Sequence, residues 1–322
     1  MRNWLLIGEF DVCRHVRGRS TPFVRFLDRG DDTMRARSAV GRSPDMATTD
    51  EVPLSAVLRK NFTDTVVSGL RTTGRLVRLS SESVSGAASD TVRRRFPWQE
   101  MLRQAWYLIT VTTLPAVLMA VPFGVIVSVQ IGNLIHQLGA DSLLGAASGL
   151  GVIKQGAPIA TGLLLGGAGA AAIAADLGAR TIREEVDALR VMGISPVHRL
   201  VIPRMAAMVL IAPLLNILII VTGVVAGFTV AVGTQGAVSG SYWATFGSFT
   251  TVTDIAISLF KAVLFGFIVV MIACQRGLEA RGGPRGVSDA VNASVVLSVV
   301  AILVVNLVIT QLVTMFAPTR LA

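Results

Sequence analysis

Four stretches of this chain contain no Asp, Glu, Lys or Arg: 104–140, 155–175, 205–253 and 290–319. A fifth, 255–275, is interrupted only by Lys261. A helix that crosses the hydrocarbon core of a bilayer needs about 20 mostly apolar residues, so each stretch is long enough for one crossing. The longest exceeds a single crossing, but its second part, Gly233-Thr-Gln-Gly-Ala-Val-Ser-Gly-Ser241, is polar and turn-rich. The pattern predicts five spans near 104–131, 155–177, 203–231, 252–275 and 289–315, with uncharged loops at 132–153 and 232–251. Composition agrees. Hydrophobic residues make up 52% of the chain and charged residues 15%, against about 25% charged in soluble proteins. So few polar groups cannot cover a globular surface, and the expected fold is an all-α integral membrane protein.

Orientation follows from the basic residues of the short loops. The predicted loops after spans 1 and 3 hold no Lys or Arg. Between spans 2 and 3 stand Arg180, Arg183, Arg190, Arg199 and Arg204, and between spans 4 and 5 stand Arg276, Arg281 and Arg285. Arg93-Arg-Arg95 precedes span 1. All these clusters fall on one side, which the positive-inside rule makes the cytoplasm. The N-terminus is then cytoplasmic and the C-terminus outside, with Lys154 and Arg320 as isolated exceptions. Aromatic residues are only 6% of the chain, which disfavours a stacking platform for single-stranded nucleic acid. Two distant cysteines, Cys13 and Cys274, and three scattered histidines, His15, His136 and His198, give neither a disulfide framework nor a zinc site. No catalytic, cofactor-binding or metal-binding residue is expected.

The first 103 residues hold 18 Lys+Arg and 12 Asp+Glu, and so carry +6 of the net +9. Residues 1–45 are rich in Arg and Asp and lack both periodicity and a signal-peptide pattern. They read as a disordered basic extension, with Met46 or Met34 as an alternative start that mass spectrometry of the native amino terminus would test. Residues 46–103 form a second region. Here Leu54, Val57, Leu58, Phe62, Val66, Leu70 and Val77 recur at helical spacing, with Arg59, Lys60, Arg71, Arg75 and Arg78 largely on other faces. The expectation is a basic amphipathic helix over 53–79 lying on an anionic leaflet, or a solvated linker helix. Phe96-Pro-Trp98 then reads as an interfacial elbow, with Trp98, Trp106 and Tyr107 at headgroup depth.

Span 2 is built from small residues. Gly162 and Gly166 are four apart, Ala170 and Ala174 continue the row, and Gly169 lies beside it. Such spacing lets helix backbones approach closely in lipid. A phosphate loop is excluded because no Gly-Lys-Ser/Thr follows. Asp176 ends the apolar run, and Arg180-Thr-Ile-Arg-Glu-Glu-Val-Asp-Ala-Leu-Arg-Val-Met-Gly193 follows. Ile182, Val186, Leu189 and Met192 form an apolar stripe, and Arg180/Glu184 and Arg183/Asp187 are spaced as i,i+4 ion pairs. Gly193 suits a C-cap, and Ser195-Pro196 stops the helix. The result is a short amphipathic helix at 180–193. Its acids Glu184, Glu185 and Asp187 would be repelled by anionic lipid, so a partner with a basic groove fits them better than the membrane surface.

The run Ala175-Asp-Leu-Gly-Ala-Arg-Thr-Ile-Arg-Glu-Glu-Val-Asp-Ala-Leu-Arg-Val-Met-Gly-Ile-Ser-Pro196, with Leu200-Val-Ile-Pro-Arg204, resembles the signature of the MlaE/YrbE permeases. It is most similar to the YrbE A-type subunits encoded with actinobacterial Mce proteins. Phe96-Pro-Trp-Gln-Glu100, Arg276-Gly-Leu-Glu-Ala-Arg-Gly-Gly283 and Val287-Ser-Asp-Ala-Val-Asn-Ala293 support the resemblance, which covers about residues 50–318. It implies a permease domain at 104–318 in the plasma (inner) membrane. The permease would pair with a second permease, be driven by separate ABC-type ATPase subunits, and import lipids of the fatty acid, sterol or phospholipid class through Mce proteins. The helix at 180–193 would be the coupling helix, with Arg183, Glu184, Glu185, Asp187 and Arg190 docking in the ATPase. Where many members carry Arg-Glu-x-Gly-Pro before span 2, this chain has Lys154-Gln-Gly-Ala-Pro158.

Lys261 and Asp254, seven residues apart on one face of span 4, and Asp176 are the ionisable candidates at membrane depth. Lys261 either serves a function there or snorkels to the outer end. Asn216 and Asn306 read as interhelical hydrogen-bond partners, and Pro115 and Pro122 as bends in span 1. An intramembrane enzyme is disfavoured because His136 and His198 fall outside the predicted spans. A secondary, ion-coupled lipid transporter without an ATPase is the alternative reading. Five spans do not divide into the equal repeats such transporters favour.

Overall fold

The computed structural model describes residues 97–316 and, ahead of them, residues 72, 74–87 and 89. The reading of residues 1–45, the choice of start site and most of the 53–79 helix lie outside the described residues. The described part of the chain is helical, and no strand occurs in it. We number its helices α1 (74–87), α2 (Trp98–Gln137), α3 (Leu144–Ile182), α4 (Glu185–Val191), α5 (Val197–Thr234), α6 (Ser239–Phe249), α7 (Val252–Leu278) and α8 (Pro284–Phe316). Helices α2, α3, α5, α7 and α8 are long and apolar enough to cross a membrane.

These five helices contain the five predicted spans but overrun them. The uncharged segment 132–153 is not a loop: α2 runs on to Gln137 and α3 begins at Leu144. The segment 232–251 holds α6, a helix lodged by Tyr242. That ring is buried, sits edge-on to Phe228 with centroids 5.2 Å apart, and shares a 3.1 Å hydrogen bond with Ser148. Burial raises its phenol pKa, and the Ser148 bond opposes the rise. Gly costs about 1 kcal/mol of helix propensity relative to Ala, and tertiary packing overrides that cost here.

Helices α2 and α5 approach backbone to backbone. Thr112, Ala116, Ala120, Gly124, Ser128 and Gly132 are each four apart and all buried. Opposite them lie Ile219, Gly223, Gly227 and Ala231, also four apart and buried. A Cβ on Gly124 would overlap the carbonyl oxygen of Gly223, and Ser128 Oγ donates to Gly227 O at 3.0 Å. Helix α3 is the hub, packing on α5, α7 and α8. Its two π-helical turns, Val152–Gly156 and Leu165–Gly169, interrupt an otherwise α-helical run. On the outer surface of the bundle Leu210, Leu214 and Val221 of α5 and Val300, Val304 and Leu307 of α8 stand exposed, a surface suited to acyl chains.

Helix α1 takes in the end of the helix expected over 53–79. Its described part docks on protein. Leu76 and Leu79 turn towards the core, while Val77, assigned to the apolar face, is exposed. Arg75 Nη1 pairs with Glu279 Oε1 at 3.1 Å, and Gly86 sits where a Cβ would meet Ile202 Cδ1 at 2.9 Å and His198 Cε1 at 3.0 Å. The helix also continues past Leu79 to residue 87.

Candidate functional site

At the Arg-rich end, α3 stops at Ile182 and the chain turns sharply. Glu184 has φ 60°, in the left-handed region that a residue with a Cβ seldom adopts. The predicted helix 180–193 is therefore two pieces, the end of α3 and the seven-residue α4. Breaking the register moves the predicted ion pairs, since i,i+4 neighbours share a face only within one helix. Arg180 reaches Asp176 Oδ1 at 3.2 Å and Glu185 Oε2 at 3.8 Å rather than Glu184. Arg183 reaches Glu185 Oε1 at 3.3 Å rather than Asp187, which instead accepts from Arg190 at 2.8 Å. Val186 is buried and Leu189 packs on the core, whereas Met192 points outward. Gly193, at φ 74°, closes the helix: its N–H donates to Arg190 O, and that of Ile194 to Leu189 O. Glu184 and Asp187 are left facing outward.

Asp176 is joined to Arg204, a residue read from sequence as a topology marker and as the end of the Leu200-Val-Ile-Pro-Arg204 run. Arg204 is 3% exposed. Its Nη1 donates to Leu200 O at 2.6 Å, and its Nη2 pairs with Asp176 Oδ2. One line of charge thus runs from α5 through Arg204, Asp176 and Arg180 to Glu185 on α4. The available cue was an Asp closing one apolar run and an Arg opening the next.

The opposite end holds a second cluster. Asp254 and Lys261 share a face of α7 but do not pair. Asp254 forms a capping box with Thr251 at the start of α7, and its carboxylate takes Lys154 Nζ at 3.1 Å. Lys261 does not snorkel into the open, being 2% exposed. Its Nζ donates to Thr310 Oγ1 at 2.9 Å and to Lys154 O at 3.4 Å, and Gln155 Nε2 also reaches Thr310 at 3.4 Å. Lys154 O accepts a side chain for a reason visible in sequence. Its α-helical donor would be the N–H of residue 158, which is Pro158 and has none. The first π-helical turn lies at this defect. Along α3, Lys154 and Asp176 are 22 residues apart, or about 33 Å at 1.5 Å per residue, close to the hydrocarbon thickness of about 30 Å.

Between the clusters, Asn216 bridges helices: its Nδ2 donates to Ser258 Oγ at 2.8 Å, and its Oδ1 accepts from Thr161 at 3.2 Å. Asn306 is buried too, but its Oδ1 has no hydrogen-bond partner, contrary to the sequence reading. Gly162 and Gly166 face Ile302 of α8, and Gly169 faces Met208 of α5, each with side-chain atoms where a Cβ would crowd them. His136 and His198 lie within the end turns of α2 and α5, not beyond them. Among the described residues no three His, Cys, Asp or Glu side chains converge as metal ligands.

Comparison with known proteins bears on this geometry. Residues 101–312 match the family described as Permease MlaE. The chain is 30% identical over 207 residues to the intermembrane phospholipid transport system permease protein MlaE of Haemophilus influenzae, covering 64% of this chain and 78% of that protein. It is 28% identical over 173 residues to a probable ABC transporter permease protein of Synechocystis, covering 54% of this chain and 66% of the relative. A probable ABC transporter permease protein of Porphyra purpurea is 26% identical over 196 residues, covering 61% and 74%.

Proposed function

The chain belongs to the MlaE permease family, and from that premise we propose that it is the membrane subunit of an ATP-driven, ABC-type lipid transporter. ATP is hydrolysed on separate ATPase subunits, and α4 is the element that docks on them. A second permease pairs with this one in the plasma (inner) membrane, with the Arg-rich end in the cytoplasm. Mce proteins stand on the other side, and lipids of the fatty acid, sterol or phospholipid class are imported. The names of the relatives support the transport class.

The observation that carries the assignment of α4 is its wiring. Glu184 and Asp187 face outward, while Glu185 is tied through Arg180 to Asp176 and so to the buried Arg204. A push on α4 therefore reaches the start of α5 through charged contacts instead of being lost in a free loop. Arg183 and Arg190 hold the acids in place on that surface. An ion-coupled transporter needs a titrating group free to exchange its proton, and Asp254 is occupied by a helix cap and Lys154.

Charge reversal tests the reading. The chain carrying Glu184→Lys, Glu185→Lys and Asp187→Lys should still insert but lose co-purification with the ATPase. The double variant Glu184→Lys/Asp187→Lys, which spares the internal Glu185 contacts, should do the same. Retained ATPase binding and lipid transport in both variants would overturn the assignment.

A further inference from the structure

Helix α2 packs on α3 along Leu144–Gly169 but barely touches the last part, Ala170–Ile182. The two helices diverge at the Arg-rich end and leave a cleft of about 370 Å³. Its base is apolar, formed by Leu108 and Ile173, both buried. Three guanidinium groups line it, those of Arg103, Arg180 and Arg204, against one carboxylate, Asp176. Asp176 is shared between Arg204 and Arg180, and Arg103 has only a 3.9 Å contact with Glu100 while its side chain is 82% exposed. Arg180 is also held by Glu185 at 3.8 Å, so Arg103 is the most exposed of the three guanidinium groups and the one with the loosest partner. Tyr107 stands at the rim. A second cleft, of about 530 Å³, shares Arg103 and adds Arg199 and Glu100 beside Trp98.

The depth of the cleft identifies its occupant. Trp98, Trp106 and Tyr107 are all exposed on the first turns of α2, the arrangement of aromatic rings at a membrane–water boundary. Further along α2 lie Leu114 and Leu118, exposed and apolar. A ligand here meets cationic donors at headgroup level and an apolar wall about two helical turns deeper. We propose that this cleft binds an acidic phospholipid of the Arg-rich leaflet. Its phosphodiester accepts charge-assisted hydrogen bonds from Arg103 and Arg180 and a further one from the Tyr107 hydroxyl, and its acyl chains lie against Leu114 and Leu118. This site depends on the five membrane-crossing helices and not on the transporter reading. A failure of α4 to bind an ATPase leaves it standing.

Native mass spectrometry of the purified full-length protein, mixed with equal amounts of phosphatidylglycerol and phosphatidylcholine, tests it. Wild type should retain phosphatidylglycerol in preference. Arg103→Gln/Tyr107→Phe should lower that retention by at least about tenfold, since two hydrogen bonds to a charged acceptor are lost. Arg285→Gln, exposed at the start of α8 and outside the cleft, should leave it unchanged. Both altered side chains of the double variant are exposed, and an unchanged melting temperature in phosphatidylcholine would show that it folds. Equal retention of the two lipids by wild type would overturn the proposal, as would undiminished retention by the double variant. Displacement of the bound lipid by equimolar inorganic phosphate would show a free-anion site instead. A change in oligomeric state with lipid retention intact would give the cleft to a second permease.

Discussion

The two ends of this bundle hold charge in opposite ways. At the Arg-rich end the buried Arg204 meets a carboxylate, that carboxylate meets Arg180, and the pairing continues to α4. At the other end the buried Lys261 meets a carbonyl and a hydroxyl, while the nearby acid, Asp254, is committed to Lys154. Among the described residues no carboxylate stands within ion-pair distance of Lys261 Nζ. A buried ion pair broken on one side leaves an uncompensated charge. A buried ammonium held only by neutral acceptors already lacks that compensation. One end is therefore a fixed electrostatic joint and the other a position whose charge can be removed at little cost.

Asp176→Asn should have the largest effect, about 2 kcal/mol, because it leaves the buried Arg204 without its counter-ion, an effect screened in part by the half-exposure of Asp176. Thermal unfolding of the detergent-solubilised protein would show the loss, and Asp176→Asn/Arg204→Met should restore most of it. If the double variant is no better than the single one, the joint is not electrostatic. Lys154→Met should cost about 1 kcal/mol, since the pair it breaks is part exposed and Asp254 keeps its cap. Lys261→Met should move stability by less than about 1 kcal/mol, because relief of a buried ammonium offsets the removal of its hydrogen bonds to Thr310 and Lys154. A loss at Lys261 as large as that at Asp176 would erase the contrast and point to a carboxylate supplied by another chain. Smallest of all, Asp187→Asn should change stability by less than about 0.5 kcal/mol, an exposed pair within one helix turn being worth little.

The five crossings were legible because absence of charge over 20 or more residues is a one-dimensional signal that needs no knowledge of neighbours. Their ends were not. Helix α2 runs on through His136 and α5 through Thr234, because a helix stops where its backbone turns and not where its apolar face ends. The same limit hid the cut at Glu184: nothing in Arg-Glu-Glu-Val announces a left-handed residue. Partners on different helices were harder still. Asp176 and Arg204 are 28 residues apart, and Lys154 and Asp254 a hundred, so their meeting depends on relative helix heights that sequence spacing alone does not give. The small-residue row on α2 was overlooked for a different reason. Its glycines are only two, Gly124 and Gly132, and the row emerges once Thr112, Ala116, Ala120 and Ser128 are counted as small. Pro158 was the one local cue to the Lys261 contact, as a missing N–H that leaves the Lys154 carbonyl open to a donor from another helix.

The stretch of α3 between its two charged posts has a consequence for where this chain belongs. With Lys154 and Asp176 fixed by partners on other helices, α3 cannot slide to suit its surroundings. A bilayer thicker than the distance between the posts must thin around the protein, and a thinner one must swell or force the bundle to tilt. The protein is gauged to one membrane thickness, and phosphatidylcholines of graded acyl length should give it a stability optimum that falls away on both sides.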